Sequence, residues 1–524
     1  MRRNRIGTAA LLALTLSGFA ATAEAATACR DLALLRLPGA LITMATEISG
    51  SFMAPVIPPA PRAPGTPEPT GPPPPAPVPL ELPPICRVAG TINPAIRFEV
   101  WLPIGADYNG RLQAVGGGGL AGNISYPALA TAVRAGFASA STDTGHRSND
   151  NLWLADPQRR EDYGHRAIHE MTVKAKAIID AYYGAGPEYS YFNGCSTGGR
   201  QGLMEAQRYP NDYDGIVSGA PVNTFTRLHM GQLWTAHATI GTPGATLTAD
   251  DLNLVSAAVL RQCDTDDGVE DGVLTDPTRC DFDPRELVCR GRESDSCLAE
   301  PKIEALEKIY GGAVNPRTGE LVYPGLQPGS ENEQPNNPGW ALIMNGTTPF
   351  AIDIPVLGGM GFENSAWDWR TFDYDRDVDL IDAKLANVLN AVDPDLRDFR
   401  AQGGKLIIYH GWSDPGVMPQ RTIDYYGEIV DFADRATGGD GTAFTDEYIR
   451  LYMLPGVGHC RGGAGPDQVD FMSSIVDWVE RSEAPETIIA TKADGSMTRP
   501  LCPHPQVATY RRGDVNDPAS FVCE

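Results

Sequence analysis

The feature that most constrains this chain is a pair of cysteines, each adjacent to a residue with catalytic chemistry. Positions 194–199 read Gly-Cys-Ser-Thr-Gly-Gly, and positions 458–460 read Gly-His-Cys. A disulfide between Cys195 and Cys460 would hold their Cα atoms roughly 5–6 Å apart. A fold that satisfies it sets Ser196 beside His459, although the chain separates them widely. A serine hydroxyl is a weak nucleophile until a base takes its proton, and histidine supplies that base most often. The G-x-S-x-G pattern also marks a serine placed on a sharp strand-to-helix turn.

The flanking sequence supplies that context. Tyr189 to Phe192 reads as a strand running into the Ser196 turn, and a small-residue helix start follows at Gly198-Gly199. Arg111 to Val115, Phe137 to Ser141, Lys405 to His410 and Arg450 to Leu454 read as further strands. Ile168, Met171, Ala175, Ile178 and Tyr182 follow helical spacing with Gly184 as a stop, and Val469 to Val479 reads as a late helix. Strands alternating with helices predict an α/β class, a mostly parallel sheet covered on both faces. With 524 residues the chain is long enough for two or three units. Residues 222–395 break the rhythm, with four cysteines, an aspartate cluster and a Gly/Pro/Asn-rich stretch at 325–338. They predict a lid inserted over the face where α/β loops carry function, between sheet-forming parts at 26–221 and 396–524.

The first 25 residues are expected to be a secretory signal. Arg2, Arg3 and Arg5 precede an apolar run from Ala9 to Ala20, and Ala23-Glu24-Ala25 fits a cleavage site. The run is shorter than the ~20 residues of a membrane span. The alternative, acylation of Cys29, has a poor lead residue in Ala26 and would remove Cys29 from pairing. Ten cysteines suit an oxidising compartment. Cys263 with Cys280, Cys289 with Cys297 and Cys502 with Cys523 are close enough to close local loops, leaving Cys29, Cys86, Cys195 and Cys460. Sequence spacing alone does not fix that connectivity. Residues 55–84 are crowded with proline and predict an extended surface loop, without helix or central strand, tethered between Cys29 and Cys86. A net charge of −24 repels phosphate backbones and argues against nucleic-acid binding. No other apolar run reaches a membrane span.

A base needs a partner that fixes its tautomer. Asp414, in the turn Gly411-Trp412-Ser413-Asp414-Pro415 after the strand ending at His410, is the candidate. The order Ser196, Asp414, His459 is that of α/β hydrolases. Acyl transfer also needs donors for the developing oxyanion. The N–H of Thr197 is one. Gly117 or Gly118, in the run Gly116 to Gly119 after the strand ending at Val115, is the other. No Lys-Ser/Thr follows that run, so it is not a phosphate loop. Histidines 146, 165, 169, 229, 237, 410 and 504 are expected to be structural or on the surface, with His146 supporting a loop near the site.

Residues 263–273 read Cys-Asp-Thr-Asp-Asp-Gly-Val-Glu-Asp-Gly-Val. Carboxylates interleaved with glycine suit a calcium ion. Asp264, Asp267 and Asp271, with the carbonyls of Val269 and Val273, are the expected ligands. The loop is not an EF-hand, because its glycine comes one position early and Thr275 stands where that loop needs glutamate. The competing reading is a solvated acidic turn.

Together these residues resemble the tannase/feruloyl esterase family, which includes the mono(2-hydroxyethyl) terephthalate hydrolases. The likeness runs from about Cys86 to Cys523. It takes in Phe98-Glu99-Val100-Trp101-Leu102-Pro103, the glycine run, Thr142-Asp143-Thr144-Gly145-His146, Gly194 to Gly202, Asp214-Gly215-Ile216-Val217 and Gly458-His459-Cys460. The resemblance implies an α/β-hydrolase fold with a large inserted lid domain, the Ser196–Asp414–His459 triad and calcium in the lid. It also implies five cysteine pairings: Cys29 with Cys86, Cys195 with Cys460, Cys263 with Cys280, Cys289 with Cys297 and Cys502 with Cys523. It implies a secreted or periplasmic serine carboxylesterase whose substrates are small or polysaccharide-linked aromatic esters, feruloyl, hydroxycinnamoyl or galloyl. Hydrolysis of mono(2-hydroxyethyl) terephthalate-type esters is the alternative, and a calcium-dependent binding protein with an inactive hydrolase fold is the rival from another class. Phe350, Trp367, Trp369 and Phe372 are candidates for an acyl pocket or for ordinary lid packing.

Overall fold

A computed structural model describes residues 27–55, 78–147, 150–344 and 347–524. The expected signal segment and residues 56–77 of the proline-rich stretch lie outside the described residues. The largest sheet has nine strands. Its strands, with a short hairpin from elsewhere in the chain, are β1 (Ala40–Phe52), β2 (Leu80–Ile92), β3 (Ile96–Pro103), β4 (Arg111–Val115), β5 (Ala138–Thr142), β6 (Tyr189–Cys195), β7 (Gly215–Gly219), the hairpin β8 (Ala313–Val314) and β9 (Leu321–Tyr323), then β10 (Lys405–Gly411) and β11 (Ile449–Leu454). The spatial order is β1-β2-β3-β5-β4-β6-β7-β10-β11. β1, β2, β3 and β5 pair antiparallel, and every pairing from β5 through β11 is parallel.

The period-2 alternation of the strands decides which helices cover which face. On one face Phe192, Ile216, Leu406 and Ile408 pack with Ile168, Met171 and Ile178, with Leu203 and Met204, and with Tyr425 and Ile429. Numbered along the chain, the helices are α1 (Tyr126–Arg134), α2 (Pro157–Glu161), α3 (Ala167–Tyr183), α4 (Thr197–Arg208), α5 (Phe225–Ala238), α6 (Ala249–Cys263), α7 (Glu300–Gly311), α8 (Asp377–Leu389), α9 (Arg397–Ala401), α10 (Gln420–Thr437), α11 (Gly441–Asp446) and α12 (Phe471–Arg481). That first face therefore carries α3, α4 and α10. The intervening residues Tyr191, Val217, Ile407 and Tyr452 point the other way, onto Ile475 and Trp478 of α12. Val115 and Trp101 meet Leu129 and Val133 of α1. α3 ends where expected, with Gly184 at φ 81°, a conformation that costs glycine nothing.

The proline-rich stretch departs from expectation at its end. Pro83 and Pro84 lie within β2. They are tolerated because the pairing with β1 shifts register between Ile48↔Ile85 and Gly50↔Leu82, and β3 joins only from Ile85 onward. A proline without an N–H fits such a break in a ladder. Cys29 is bonded to Cys86, so the structure does not follow the acylation alternative. Cys502 is bonded to Cys523, which fastens the end of the chain to the segment that follows β11.

β7 and β10 are neighbours in the sheet, although about 185 residues separate them in sequence. The chain between them forms α5 to α9, the β8–β9 hairpin and a large apolar core, including Met230, Val259, Leu306, Trp340 and Ile381. That core is continuous with Ala121, Val222, Val417 and Met418, which follow the C-terminal ends of β4, β7 and β10. Among the described residues no helix is long and apolar enough to cross a membrane.

Candidate active site

β6 delivers the chain into Ser196, which has φ 64° and ψ −122°, and α4 starts at the next residue. A non-glycine residue there costs about 1–3 kcal/mol and persists only when its surroundings hold it. The Ser196 N–H donates to Gly219 O at 2.9 Å, and its carbonyl accepts from Arg200 N at 3.0 Å. Two glycines are required by close approach. A Cβ on Gly194 would lie 2.6 Å from the carbonyl carbon of Gly198, and one on Gly199 would lie 2.2 Å from Gly219 O. The sequence pattern therefore reflects backbone packing around the turn. Cys195, just before the turn, is bonded to Cys460 with Cα atoms 6.0 Å apart.

The other cysteines stand away from the chemistry. Cys289 is bonded to Cys297 across a turn of the insert in which residues 290–296 are all exposed. Ser294 Oγ lies 3.4 Å from Cys297 Sγ. Neither Cys289 nor Cys297 lines the cavity that holds Ser196 and His459. The Cys289–Cys297 pairing is the one expected, and it acts as a local staple on a turn too polar to pack itself. Only the pair at Cys195 and Cys460 belongs to the site.

His459 follows β11, and Asp414 follows β10. His459 Nδ1 lies 2.6 Å from Asp414 Oδ2. Asp414 is fully buried, and its Oδ1 accepts from the N–H groups of Gly416 at 2.8 Å and Val417 at 2.9 Å. Burial alone would raise its pKa. The charge and hydrogen bond of His459, with the hydrogen bond of His410, override burial and hold Asp414 well below the usual carboxylate range. For His459, burial favours the neutral ring, but Asp414's charge and hydrogen bond leave its pKa raised. His410, one of the histidines expected to be structural, is completely buried. It places Nε2 3.1 Å from Asp414 Oδ2 and Nδ1 2.8 Å from Thr422 Oγ1. Its position at the end of a strand, four residues before Asp414, is the signal that sequence offers.

The glycine run turns beneath Ser196. The Gly117 N–H donates to Gln201 Oε1 at 3.0 Å, so it is already engaged; this corrects Gly117 as an oxyanion donor and leaves Gly118. Gly119 O accepts from Thr197 Oγ1 at 2.5 Å and Tyr163 Oη at 3.0 Å. Leu120 O accepts from His146 Nε2 at 2.6 Å, and the His146 ring stacks on Trp153. Burial drops the His146 pKa to about 4, which suits a loop prop and not a base. The Thr197 N–H opens α4, and a helix's first N–H groups have no intrahelical acceptor.

Ser196, Thr197, Gly119 and His459 line one cavity of about 220 Å³. Its walls are mainly apolar, with Val222, Phe225, Leu228, Leu342, Phe350 and Ile352. Of the four aromatic candidates, only Phe350 reaches it. Trp367, Trp369 and Phe372 pack within the insert, Trp369 against His237 and Phe372 between Trp367 and Tyr374. Spacing could not separate a wall aromatic from a core aromatic.

The acidic loop is bracketed by the Cys263–Cys280 bond. Asp264 accepts from the N–H groups of Gly272 at 2.9 Å and Val273 at 3.1 Å, so it clamps the loop. Asp267 accepts from the Val269 N–H and the Thr275 hydroxyl, and Asp271 accepts from the Val273 N–H and Arg499. Burial pushes both Asp267 and Asp271 up, and Asp271's charge adds to the effect on Asp267. Asp267 and Asp271 are half-buried and Arg499 pairs with Asp271 alone, which leaves carboxylate oxygen of the kind a hard cation takes. Among the described residues, the three-member group with ligand atoms within 4.8 Å of one another is instead His169, Glu205 and Asp212.

Sheet, serine turn and Asp–His pair define an α/β hydrolase. The profile described as tannase and feruloyl esterase matches residues 82–524, and the chain belongs to that family. It is similar to an uncharacterized esterase of Xanthomonas campestris pv. campestris, 37% identical over 96% of this chain and 92% of that protein. It is 32% identical to a mono(2-hydroxyethyl) terephthalate hydrolase of Piscinibacter sakaiensis, over 84% of this chain and 85% of that one. The crystal structure of feruloyl esterase B from Aspergillus oryzae superposes with a TM-score of 0.83 at 25% identity, covering 95% of this chain and 100% of that one. The protein is a carboxylic ester hydrolase, which removes the reading of an inactive calcium-dependent binding protein.

Proposed function

We propose that the protein is an exported serine carboxylesterase that cleaves esters of aromatic acids, hydroxycinnamoyl or galloyl, through an acyl-enzyme. The observation that carries this reading is the sharing of one apolar cavity by Ser196 and His459, with His459 Nδ1 held by buried Asp414. Ser196 Oγ attacks the ester carbonyl and His459 Nε2 takes its proton. The Thr197 and Gly118 N–H groups receive the oxyanion. His459 then protonates the leaving alcohol, and water, activated by the same imidazole, releases the acid. Five disulfides support export. A calcium ion on Asp264, Asp267, Asp271 and the carbonyls of Val269 and Val273 would fix the insert and stand outside the chemistry. The terephthalate-ester relative keeps that ester as a second reading.

Hydrolysis of a p-nitrophenyl ester by wild type and Ser196→Ala is the test. The variant should lose on the order of 10⁴-fold in kcat. Equal rates would refute the serine mechanism. Methyl ferulate, methyl gallate and mono(2-hydroxyethyl) terephthalate, assayed side by side, identify the acyl group. A clear preference for short aliphatic esters over all three would overturn the aromatic-ester reading.

A further inference from the structure

The triad leaves a second Asp–imidazole pair in the same cavity without a task. His229 and Gln232, three residues apart on one face of α5, both line it. Each is 3% exposed, and Asp353 behind them is fully buried. His229 Nδ1 lies 2.9 Å from Asp353 Oδ1. Its other ring nitrogen, Nε2, has no hydrogen-bond partner. Gln232 donates through Nε2 to Gly416 O at 2.7 Å, which fixes the orientation of its amide. The remaining atom, Oε1, is buried and also has no partner. Buried polar atoms are nearly always paired, so two unpaired ones on residues that line a cavity of leucine, valine and phenylalanine point to a ligand group. Histidine 229 is therefore neither a surface residue nor a satisfied core residue.

We propose that His229, Asp353 and Gln232 form a recognition site for a ring hydroxyl of the aromatic acyl group. The proposal rests on the esterase reading above and names the chemistry of its substrate. A hydroxyl is both donor and acceptor. With His229 protonated, Nε2–H donates to the hydroxyl oxygen and the hydroxyl hydrogen goes to Gln232 Oε1. With His229 neutral, Asp353 keeps the proton on Nδ1, and the hydroxyl hydrogen goes to Nε2 or to Gln232 Oε1. A ring carboxylate meets a donor only when His229 is protonated, and meets an unpaired acceptor in both states. Gln232 Oε1 repels it, and turning the amide to offer N–H would set Oε1 against Gly416 O. The site thus favours phenolic acyl groups over the terephthalate monoester, and Asp353 acts as a positioning residue for His229.

The test is the ratio of kcat/KM for methyl 4-hydroxycinnamate over methyl cinnamate, which differ by one hydroxyl. Wild type should favour the hydroxylated ester by about tenfold or more, and Gln232→Met should bring the ratio to within about threefold of unity. Gln232→Met removes the acceptor without stranding a charge. Calorimetric binding of the two intact esters to Ser196→Ala, with and without Gln232→Met, reads the same preference apart from catalysis. Equal efficiency of wild type on both esters, an unchanged ratio in Gln232→Met, or better cleavage of mono(2-hydroxyethyl) terephthalate than of the hydroxycinnamate overturns the site while the esterase reading stands. Cleavage of no aromatic ester by wild type overturns both.

Discussion

Asp414 Oδ2 faces two imidazoles at once, His459 Nδ1 at 2.6 Å and His410 Nε2 at 3.1 Å. His410 is fixed in turn by Thr422, at the start of α10. The orientation of the Asp414 carboxylate is thereby transmitted from α10, which does not line the cavity. A hydrogen-bonded carboxylate that cannot rotate keeps its imidazole in the tautomer a general base requires.

His410→Leu should therefore lower kcat about tenfold through misorientation of Asp414. It should also move the acid limb of the pH–rate profile upward, because a carboxylate with one donor fewer holds the His459 proton harder. His410→Gln, which keeps an N–H donor, should restore part of both. A lowered melting temperature with an unmoved limb would reduce His410 to a packing residue.

The wild-type profile has its own sign. His459 acts as base only when neutral, and Asp414 raises its pKa above 6.5, so kcat/KM should fall along an acid limb centred above that value. The raised His459 pKa stabilises the fold fully below pH 6.5 and is lost as pH rises through its folded value. Asp414 contributes stability above about 3.8 that is lost as pH falls through its depressed value. Activity thus rises over the interval in which the His459 contribution fades. A limb centred below 6.5, measured on a p-nitrophenyl ester, would contradict the coupling.

Replacing Cys195 and Cys460 together by alanine opens a loop whose ends are 265 residues apart. The expected loss is about 2–5 kcal/mol in urea unfolding. Activity should fall further than stability, since a ~1 Å drift between Ser196 and His459 costs about 100-fold. Full activity with both thiols free would show that packing alone holds the pair.

Chelation, or Asp267→Ala, should lower the melting temperature and release one calcium per chain by elemental analysis. The rate on a small p-nitrophenyl ester should change less than the rate on an aromatic ester, because the insert supplies the cavity walls. An unchanged melting temperature together with no bound metal would remove calcium from this protein.

Arg200 is fully buried and makes its charged hydrogen bonds to the carbonyls of Tyr163, Gly164 and Leu389. It ties the helix behind Ser196 to the end of α8. Arg200→Met leaves those carbonyls short of donors and should cost about 2–5 kcal/mol. A loss under about 1 kcal/mol would mean that water replaces the guanidinium.

Much of this is legible in the sequence. The strand, turn and helix around Ser196 follow from two glycine contacts that admit no side chain, so local sequence carried the information. Asp414 and His459 stand out in the sequence because each follows a short apolar strand, Lys405–Gly411 or Ile449–Leu454. Gly117 was not separable from Gly118, because what distinguishes them is a contact with Gln201 from another element. Phe350 was not separable from Trp367, Trp369 and Phe372, because a cavity wall and a core use the same residues. His229 and His410 read in the sequence only as structural or surface histidines, for a related reason. Their partners Asp353 and Thr422 come from separate turns of the chain, and only the tertiary fold makes a buried imidazole into a site.

The adjacency of β7 and β10 bears on how such an enzyme changes over time. The insert leaves the sheet after Gly219 and returns at Lys405, on strands that already lie side by side. Its two junctions are a fixed port. A segment of different length can be spliced there without disturbing the register of any strand, and doubling a loop's length adds only about 0.6 kcal/mol of closure cost. Ser196, Asp414 and His459 all lie outside the spliced region, whereas His229, Gln232, Phe350 and Asp353 lie within it. On the proposed reading, exchange of the insert would change the walls that meet the acyl group and leave Ser196, Asp414 and His459 in place.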